Sequence, residues 1–175
     1  MALAKRKQKF FDVEIPILKK ETQLYGYDIG ELNGKTIKYD LTRILRGKSV
    51  LLDLKVKVEG NKAFAEPKEF VILPYFIRRM IRKGVNQVED SFLAEIKDSK
   101  AEIKPFLITR KKVSREVRKA LREKAKEEIL EYVKNKDAPT LFEELIQGRF
   151  QKFLSVKLKK IYPLSLCEIR IFKVK

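Results

Sequence analysis

The sequence predicts an α+β fold: a mainly antiparallel β-sheet or small β-barrel flanked by helices, with a C-terminal helical segment and a closing C-terminal strand. Three observations predict it. Segments of period two come first, segments of helical period follow, and one more alternating segment ends the chain. The clearest strand has one apolar and one charged face, which suits an antiparallel sheet and not a doubly wound parallel one. Two turn signals, Gly60-Asn61 and Asp98-Ser99, each sit between alternating runs.

In chain order, residues 1–9 carry Lys5, Arg6, Lys7 and Lys9 and almost nothing to bury, so they read as a flexible basic arm; a solvated tail without a partner is the alternative. Phe10, Phe11, Asp12, Val13, Glu14 and Ile15 read as a strand that Pro16 ends. Gly26 and Gly30 mark a loop. Ile37, Tyr39 and Leu41 alternate with Lys38 and Asp40, and a short helical turn is expected before Gly47. Val50, Leu52, Leu54, Val56 and Val58 then share one face, with Asp53, Lys55, Lys57 and Glu59 on the other. After the Gly60-Asn61 turn a return strand runs through Ala63 and Ala65, or Phe64 and Glu66, until Pro67 disturbs it. Pro74 can start a helix striped by Phe76, Ile77, Met80 and Ile81 and stopped at Gly84. Phe92, Ala94 and Ile96 begin a second hairpin whose return strand, residues 101–109, is placed at an edge or a bulge by Pro105.

A long helix is expected over residues 113–135, with Ser114 near its start. Thr140 to Glu143 matches a capping box for the next helix, whose inner face is Leu141, Phe142, Leu145 and Ile146 and which Gly148 breaks. Phe150, Phe153, Leu154, Leu158 and Ile161 stripe a further helix. Tyr162-Pro163 turns the chain into the last strand, where Cys167, Ile169 and Ile171 alternate with Glu168 and Arg170. The expected organisation is an arm (1–9) and one α+β domain (10–175), strand-rich over 10–112, helix-rich over 113–162 and closed by 166–174.

Charge points to a partner. Forty-one Lys and Arg stand against 24 Asp and Glu, a net charge of +17 that folding does not require and self-repulsion opposes. Hydrophobic residues make up 44% of the 175 residues, enough for a real core. A polyanion is therefore expected: nucleic acid first, an anionic membrane surface as the rival. The densest basic region holds Arg110, Lys111, Lys112, Arg115, Arg118, Lys119, Arg122 and Lys124 against Glu116 and Glu123. At 100° per residue, Arg115, Arg118, Lys119, Arg122 and Lys126 share a narrow sector, opposite Val113, Val117, Ala120 and Leu121. Ile129, Leu130 and Val133 later occupy that same sector, so either the helix bends or its basic face meets protein further on; the second is expected. Arg78, Arg79, Arg82 and Lys83 form a smaller cluster on the next most basic helix, and Lys157, Lys159 and Lys160 a third. A solvated face is the bland reading of the Arg78 cluster, weakened because no acidic residue occurs between Val71 and Gln87.

Such contacts go mostly to phosphates, and neutralising about eight of them makes binding fall by several orders of magnitude over a modest rise in salt. Arginine grips phosphate bidentately, so Arg115, Arg118 and Arg122 are favoured over neighbouring lysines. Phe10, Phe11, Tyr25, Tyr27 and Tyr75 can stack on bases, although core or edge packing is the commoner use of such residues.

The chemistry of catalysis is missing. The chain has no histidine and one cysteine, Cys167, which removes His-based catalysis, internal disulfides and paired-cysteine metal sites. No phosphate-binding Gly-rich loop occurs, and Glu89-Asp90 and Glu143-Glu144 are merely adjacent. No enzyme, cofactor or metal is expected. No apolar run approaches the roughly 20 residues of a membrane span. The basic helix has only Val, Ala and Leu on its apolar side, which disfavours lipid. A cytosolic, soluble protein is expected, with neither membrane nor homo-oligomeric partner.

Several motifs in order resemble the archaeal and eukaryotic small-subunit ribosomal protein family called S-one-e, formerly S-three-a-e. Residues 7–16 (KQKFFDVEIP) resemble its basic arm and first strand, and residues 34–41 (GKTIKYDL) its Gly-Lys segment. Residues 54–65 (LKVKVEGNKAFA) resemble its strand-turn-strand, and residues 76–83 (FIRRMIRK) its basic helix. Residues 104–122 (KPFLITRKKVSREVRKALR) resemble the strand entering the long basic helix, and residues 160–173 (KIYPLSLCEIRIFK) the Ile-Tyr-Pro-Leu signature and final strand. Phe10 stands where a tryptophan is common, and the absence of the eukaryotic tail fits an archaeal-type member.

The resemblance implies a structural constituent of the cytoplasmic small ribosomal subunit. It implies a platform location near the mRNA exit, with the 3′ region of the small-subunit rRNA and neighbouring platform proteins as partners. A free RNA- or DNA-binding module acting outside the ribosome is the competing reading. Within the resemblance, the RNA-binding residues are expected to be Lys5, Arg6, Lys7, Lys9, Arg78, Arg79, Arg82, Lys83, Arg110, Lys111, Lys112, Arg115, Arg118, Lys119, Arg122, Lys159 and Lys160.

Overall fold

The computed structural model describes residues 7–45, 47–60 and 62–175. Among them are nine strands and four α-helices, with a mixed, mostly antiparallel sheet, so the fold is α+β. The chain divides into two compact units: the described part of Met1–Tyr39 with Asp53–Lys68, and Asp40–Leu52 with Glu69–Lys175. Strands β4 (Val50–Glu59) and β5 (Lys62–Ile72) contribute residues to both.

In the first unit, β1 (Lys9–Ile15) ends at Pro16, as expected. A 3-10 turn, Pro16–Leu18, finishes on Lys19 in the left-handed region at φ 51°. The chain returns as β2 (Lys20–Gly26), paired antiparallel with β1 from Lys9↔Gly26 to Ile15↔Lys20. The sequence does not announce β2, because only Gly26 in it is buried and no apolar alternation results. Strand β3 (Thr36–Asp40) pairs with β4, and β4 with β5. β1 also pairs in parallel with β5, at Val13↔Ala63 and Glu14↔Phe64. Val13, Ile15, Leu54, Val56, Ala63 and Ala65 are buried, which decides the return strand's inner face in favour of the alanines. Gly60 takes φ 62° at the turn, and Asn61 lies outside the described residues. Pro67 does not end β5. It falls between the residues that pair with β1 and those that pair with β9, where neither ladder needs its missing N–H.

In the second unit, β8 (Lys100–Thr109) is central. On one side it pairs with the closing strand β9 (Leu164–Val174), on the other with β7 (Phe92–Glu95) and β6 (Gln87–Glu89). Pro105 sits at a register shift, and on the far side between the residues that β7 and β6 engage, as a bulge requires. Across that shift Lys104 faces Ile171 and Pro105 faces Ile169, so Arg170 is the extra residue of β9. The inward positions of β9 therefore step from Ile169 to Phe172, which breaks the simple alternation read from Cys167 to Ile171. β9 also pairs with β5 at residues 69–71, which closes the sheet with the last segment.

The helices are α1 (Pro74–Met80), α2 (Arg115–Val133), α3 (Ala138–Gln147) and α4 (Arg149–Leu158). Phe142 of α3 meets Phe172 of β9 edge-on at 5.0 Å, so the helical segment packs on the closing strand. α2 is one uninterrupted helix, and Ile129 and Val133 are fully buried on the sector that is basic one turn earlier. α4 packs on the neighbouring side of α2: Tyr132 of α2 stacks on Phe150 at 4.7 Å and leans on Phe153 at 4.6 Å. The expected capping box of α3 is not formed. Asp137 is the N-cap and Pro139 lies in the first turn, where its fixed φ starts the helix, so Thr140 is already inside. Gly148, at φ 73°, ends α3 and begins α4, and Gln151 Nε2 donates to the Leu145 carbonyl at 3.1 Å. The one cysteine, Cys167 on β9, has its thiol pushed up to about 12 by burial, with Glu168 adding to the effect.

Candidate nucleic-acid interface

The second unit carries most of the expected cations, and a backbone clamp ties two groups of them together. α1 begins at Pro74 and buries Phe76 and Ile77, which turns Arg78 and Arg79 outward in its last turn. Two cations at a helix C-terminus are favoured by its dipole. The Arg79 guanidinium also lies 5.4 Å from the centre of the Phe76 ring. α1 is shorter than expected and stops at Met80. Ile81 leaves helical geometry, and Arg82 and Lys83 stand exposed in the turn that ends at Gly84, φ 85°. The helical stripe therefore covers only half of this cluster.

Asn86 follows that turn and holds it against the segment leaving β8. Its Oδ1 accepts from Val113 N at 2.8 Å, and its own backbone N donates to Thr109 Oγ1 at 3.0 Å. Thr109 N donates to the Asn86 carbonyl at 2.9 Å, and Thr109 Oγ1 approaches the Lys111 carbonyl at 2.7 Å. Thr109 is fully buried, so its own hydroxyl and N–H depend on these partners and not on water. The clamp sets the Arg82-Lys83 turn beside Arg110, Lys111 and Lys112, all exposed. Neither Asn86 nor Thr109 was among the residues picked out in the sequence. Their link spans 23 residues and uses backbone groups, which no local pattern reveals.

Ser114 then caps α2, its hydroxyl accepting from Val117 N at 3.3 Å. Arg115, Lys119 and Arg122 project into solvent; Arg118 is half-buried, and its Nε is buried without a hydrogen-bond partner. Lys119 has a loose exposed pair with Glu123 at 3.7 Å. Among the described residues, Arg78, Arg79, Arg82, Lys83, Arg110, Lys111, Lys112, Arg115, Arg118 and Arg122 form no ion pair.

Two lysines counted with the basic regions are committed elsewhere. Buried Glu128 lies 3.2 Å from Lys124 and 3.4 Å from Lys157. Burial works to raise its carboxyl, but hydrogen bonds from Lys124 and then Lys157 outweigh it and hold the group below its ordinary value. Lys124 also donates to Glu127 at 2.8 Å, and its ammonium is held above its ordinary value by Glu127 first and Glu128 second. Lys126 lies 5.7 Å over the Phe92 ring. Lys159 and Lys160 stand exposed just past α4, whose end is tied to α2 through Lys157 and Glu128. Lys7 and Lys9 belong to the first unit, exposed at the entrance to β1 and without ion pairs among the described residues. Lys5 and Arg6 lie outside the described residues.

Comparison with known proteins matches this chain to one family. The sequence model of the Ribosomal S3Ae family covers residues 6–175. The small ribosomal subunit protein eS1 of Methanothermobacter thermautotrophicus is 30% identical over 113 residues, 64% of this chain and 58% of that protein. The eS1 of Nanoarchaeum equitans is 27% identical over 117 residues, 66% of this chain and 59% of its own length. That of Pyrobaculum aerophilum is 27% identical over 138 residues, 78% and 62% of the two chains. The aligned part of this chain thus spans about three fifths of each relative. With the family match running from the basic arm to the closing strand, the chain belongs to the Ribosomal S3Ae family.

Proposed function

We propose that the chain is a non-enzymatic structural constituent of the small ribosomal subunit in the cytoplasm. In this reading it binds small-subunit rRNA through the basic surface around the Asn86 clamp, the exposed start of α2, the lysines past α4 and the arm. The location on the platform, near the mRNA exit and the 3′ region of the rRNA with platform proteins alongside, follows from the family resemblance. The observation that carries the reading is the cluster of unneutralised arginines on rigid backbone. Its placement is unfavourable for the chain alone: Arg110, Lys111, Lys112 and Arg115 crowd the positive end of the α2 dipole, where Glu116 is the one acidic residue of the first turn. A polyanion relieves that repulsion, and phosphate is the group such an end accepts.

The test is assembly. Arg115→Glu with Arg118→Glu replaces two cations on α2 without touching the fully buried core. The folded double variant is expected to be lost from small subunits sedimented through moderate salt, while the wild type cosediments. Normal incorporation of the folded variant sinks the assignment of this face. Wild-type protein that binds RNA but never cosediments with subunits favours a free RNA-binding module.

A further inference from the structure

In the first unit, three aromatic rings are exposed within one short stretch of the β1-β2 hairpin. Phe10 is 68% exposed, Tyr25 53% and Tyr27 41%. Phe10 and Tyr25 are direct register partners, and their ring centres lie 5.0 Å apart at 43°. A cross-strand aromatic pair stabilises a hairpin by under about 1 kcal/mol, little return for leaving two large apolar faces in water. Among the described residues the outer sides of these rings are open to solvent.

The charges around the pair are polarised along the strand. Toward the chain start come Lys7 and Lys9, exposed and without ion pairs among the described residues. Alternation puts Lys9 on the other face from Phe10, so these cations stand beyond the open end of the pair and not beside the rings. Two residues on from Phe10, along the same face of β1, come Asp12 and then Glu14, opposite Gln23 and Glu21 of β2. Asp12 is satisfied by Gln23 Nε2 at 2.9 Å, and Glu14 pairs loosely with Lys62 at 3.8 Å. A polyanionic strand is therefore attracted at one end of the aromatic pair and repelled at the other. The ligand that fits is short in extent: one or two flat, uncharged rings whose attached phosphates lie on the lysine side.

We propose that Phe10 and Tyr25 form a stacking platform for an unpaired nucleobase of single-stranded RNA. Lys7 and Lys9 take the flanking phosphates, and Asp12 and Glu14 stop the strand from running further along β1. The proposal rests on the RNA-binding reading but uses a different unit and a different physical contact. Phosphate contacts on α2 are indifferent to bases, whereas stacking needs the base and tolerates any sequence.

The experiment uses the full chain with two probes, an oligoadenylate and its base-free ribose-phosphate counterpart of equal length. The chain has no tryptophan, so tyrosine emission reports directly on Tyr25 and its five fellow tyrosines. The wild type is expected to bind the base-bearing probe about tenfold or more tightly than the base-free one, with tyrosine quenching. Phe10→Ala with Tyr25→Ala removes that difference and leaves the salt dependence of binding unchanged. Tyr25→Phe keeps the affinity and loses part of the quenching. Equal wild-type affinity for the two probes overturns the platform, as does an undiminished preference in the folded double alanine variant. Arg115→Glu with Arg122→Glu is measured in parallel. If it lowers affinity for both probes alike while the aromatic variants do nothing, the α2 reading stands and the platform falls. The reverse pattern keeps the platform and removes α2 from the RNA interface.

Discussion

Thr109 and Asn86, 23 residues apart in sequence, hold each other through both backbones and the Thr109 hydroxyl. Thr109 N reaches the Asn86 carbonyl at 2.9 Å and Asn86 N reaches Thr109 Oγ1 at 3.0 Å. Through this pair the turn after α1 and the segment before α2 become one rigid basic surface, although neither residue is itself charged. Asn86→Ala leaves Val113 N without its acceptor, and Thr109→Val removes a buried hydroxyl with three polar neighbours. Each is expected to lower stability by about 1–3 kcal/mol. Because the residues share one network, denaturant titration of the two single variants and the double should give a coupling of about 0.5 kcal/mol or more. Strict additivity contradicts the clamp.

A second prediction separates neighbouring cations on α2. Arg122 is exposed and unpaired among the described residues, whereas Lys124 is engaged by Glu127 and Glu128. Arg122→Ala should weaken RNA binding and flatten the plot of log affinity against log salt by about one unit. Lys124→Ala should leave that slope unchanged. Salt titrations of both variants check the pair, and a reversal of the two effects would place the interface on another face.

The Glu128 site predicts a pH dependence. Its folded carboxyl is held below its ordinary value, because hydrogen bonds from Lys124 and Lys157 outweigh burial. A depressed carboxylate contributes stability that is present above its unfolded value and is lost as pH falls through the folded one. Glu128→Gln should therefore narrow the stability difference between neutral and acidic solution. Lys124→Ala with Lys157→Ala leaves burial unopposed, which raises the group and reverses the sign, so that mild acid becomes less harmful to this variant. Acid titrations of stability across the three proteins read both effects.

Two packing predictions concern the helical segment. Phe142 and Phe172 are fully buried and meet edge-on, so Phe172→Ala should cost about 3–5 kcal/mol and loosen α3 together with β9. Gly148 has open space around a would-be Cβ but a φ of 73°, so Gly148→Ala should cost about 1–2 kcal/mol through backbone strain alone. Thermal or denaturant unfolding distinguishes the two by size.

How far the sequence could be read depended on where one face was dry and the other wet. β4 was legible because Val50, Leu52, Leu54 and Val56 alternate with charges and all four are buried. β2 was not, since its inward positions are Thr22, Leu24 and Gly26, among which only Leu24 is a large apolar residue. The Ser114 cap and the two-faced α2 were legible because both depend on residues within a few turns. Prolines misled in both directions: Pro67 sits inside β5, between the residues that pair with β1 and those that pair with β9, and Pro139 opens α3 in place of the expected Thr140 cap. The candidate surface was half visible. Arg78, Arg79, Arg115, Lys119 and Arg122 follow from composition and helical spacing. The withdrawal of Lys124 and Lys157 to Glu128, and the union of two loops by Asn86, depend on contacts between distant segments.

The partly buried thiol of Cys167 has a use beyond the fold. Thiolate is the form that alkylating reagents attack, and a group pushed up to about 12 offers almost none near neutrality. Its labelling should lag until the last strand peels away from its neighbours. The chain thus carries its own single-site clock, one whose ticking records how often its final segment lets go and, in an assembled particle, whether docking has stilled it.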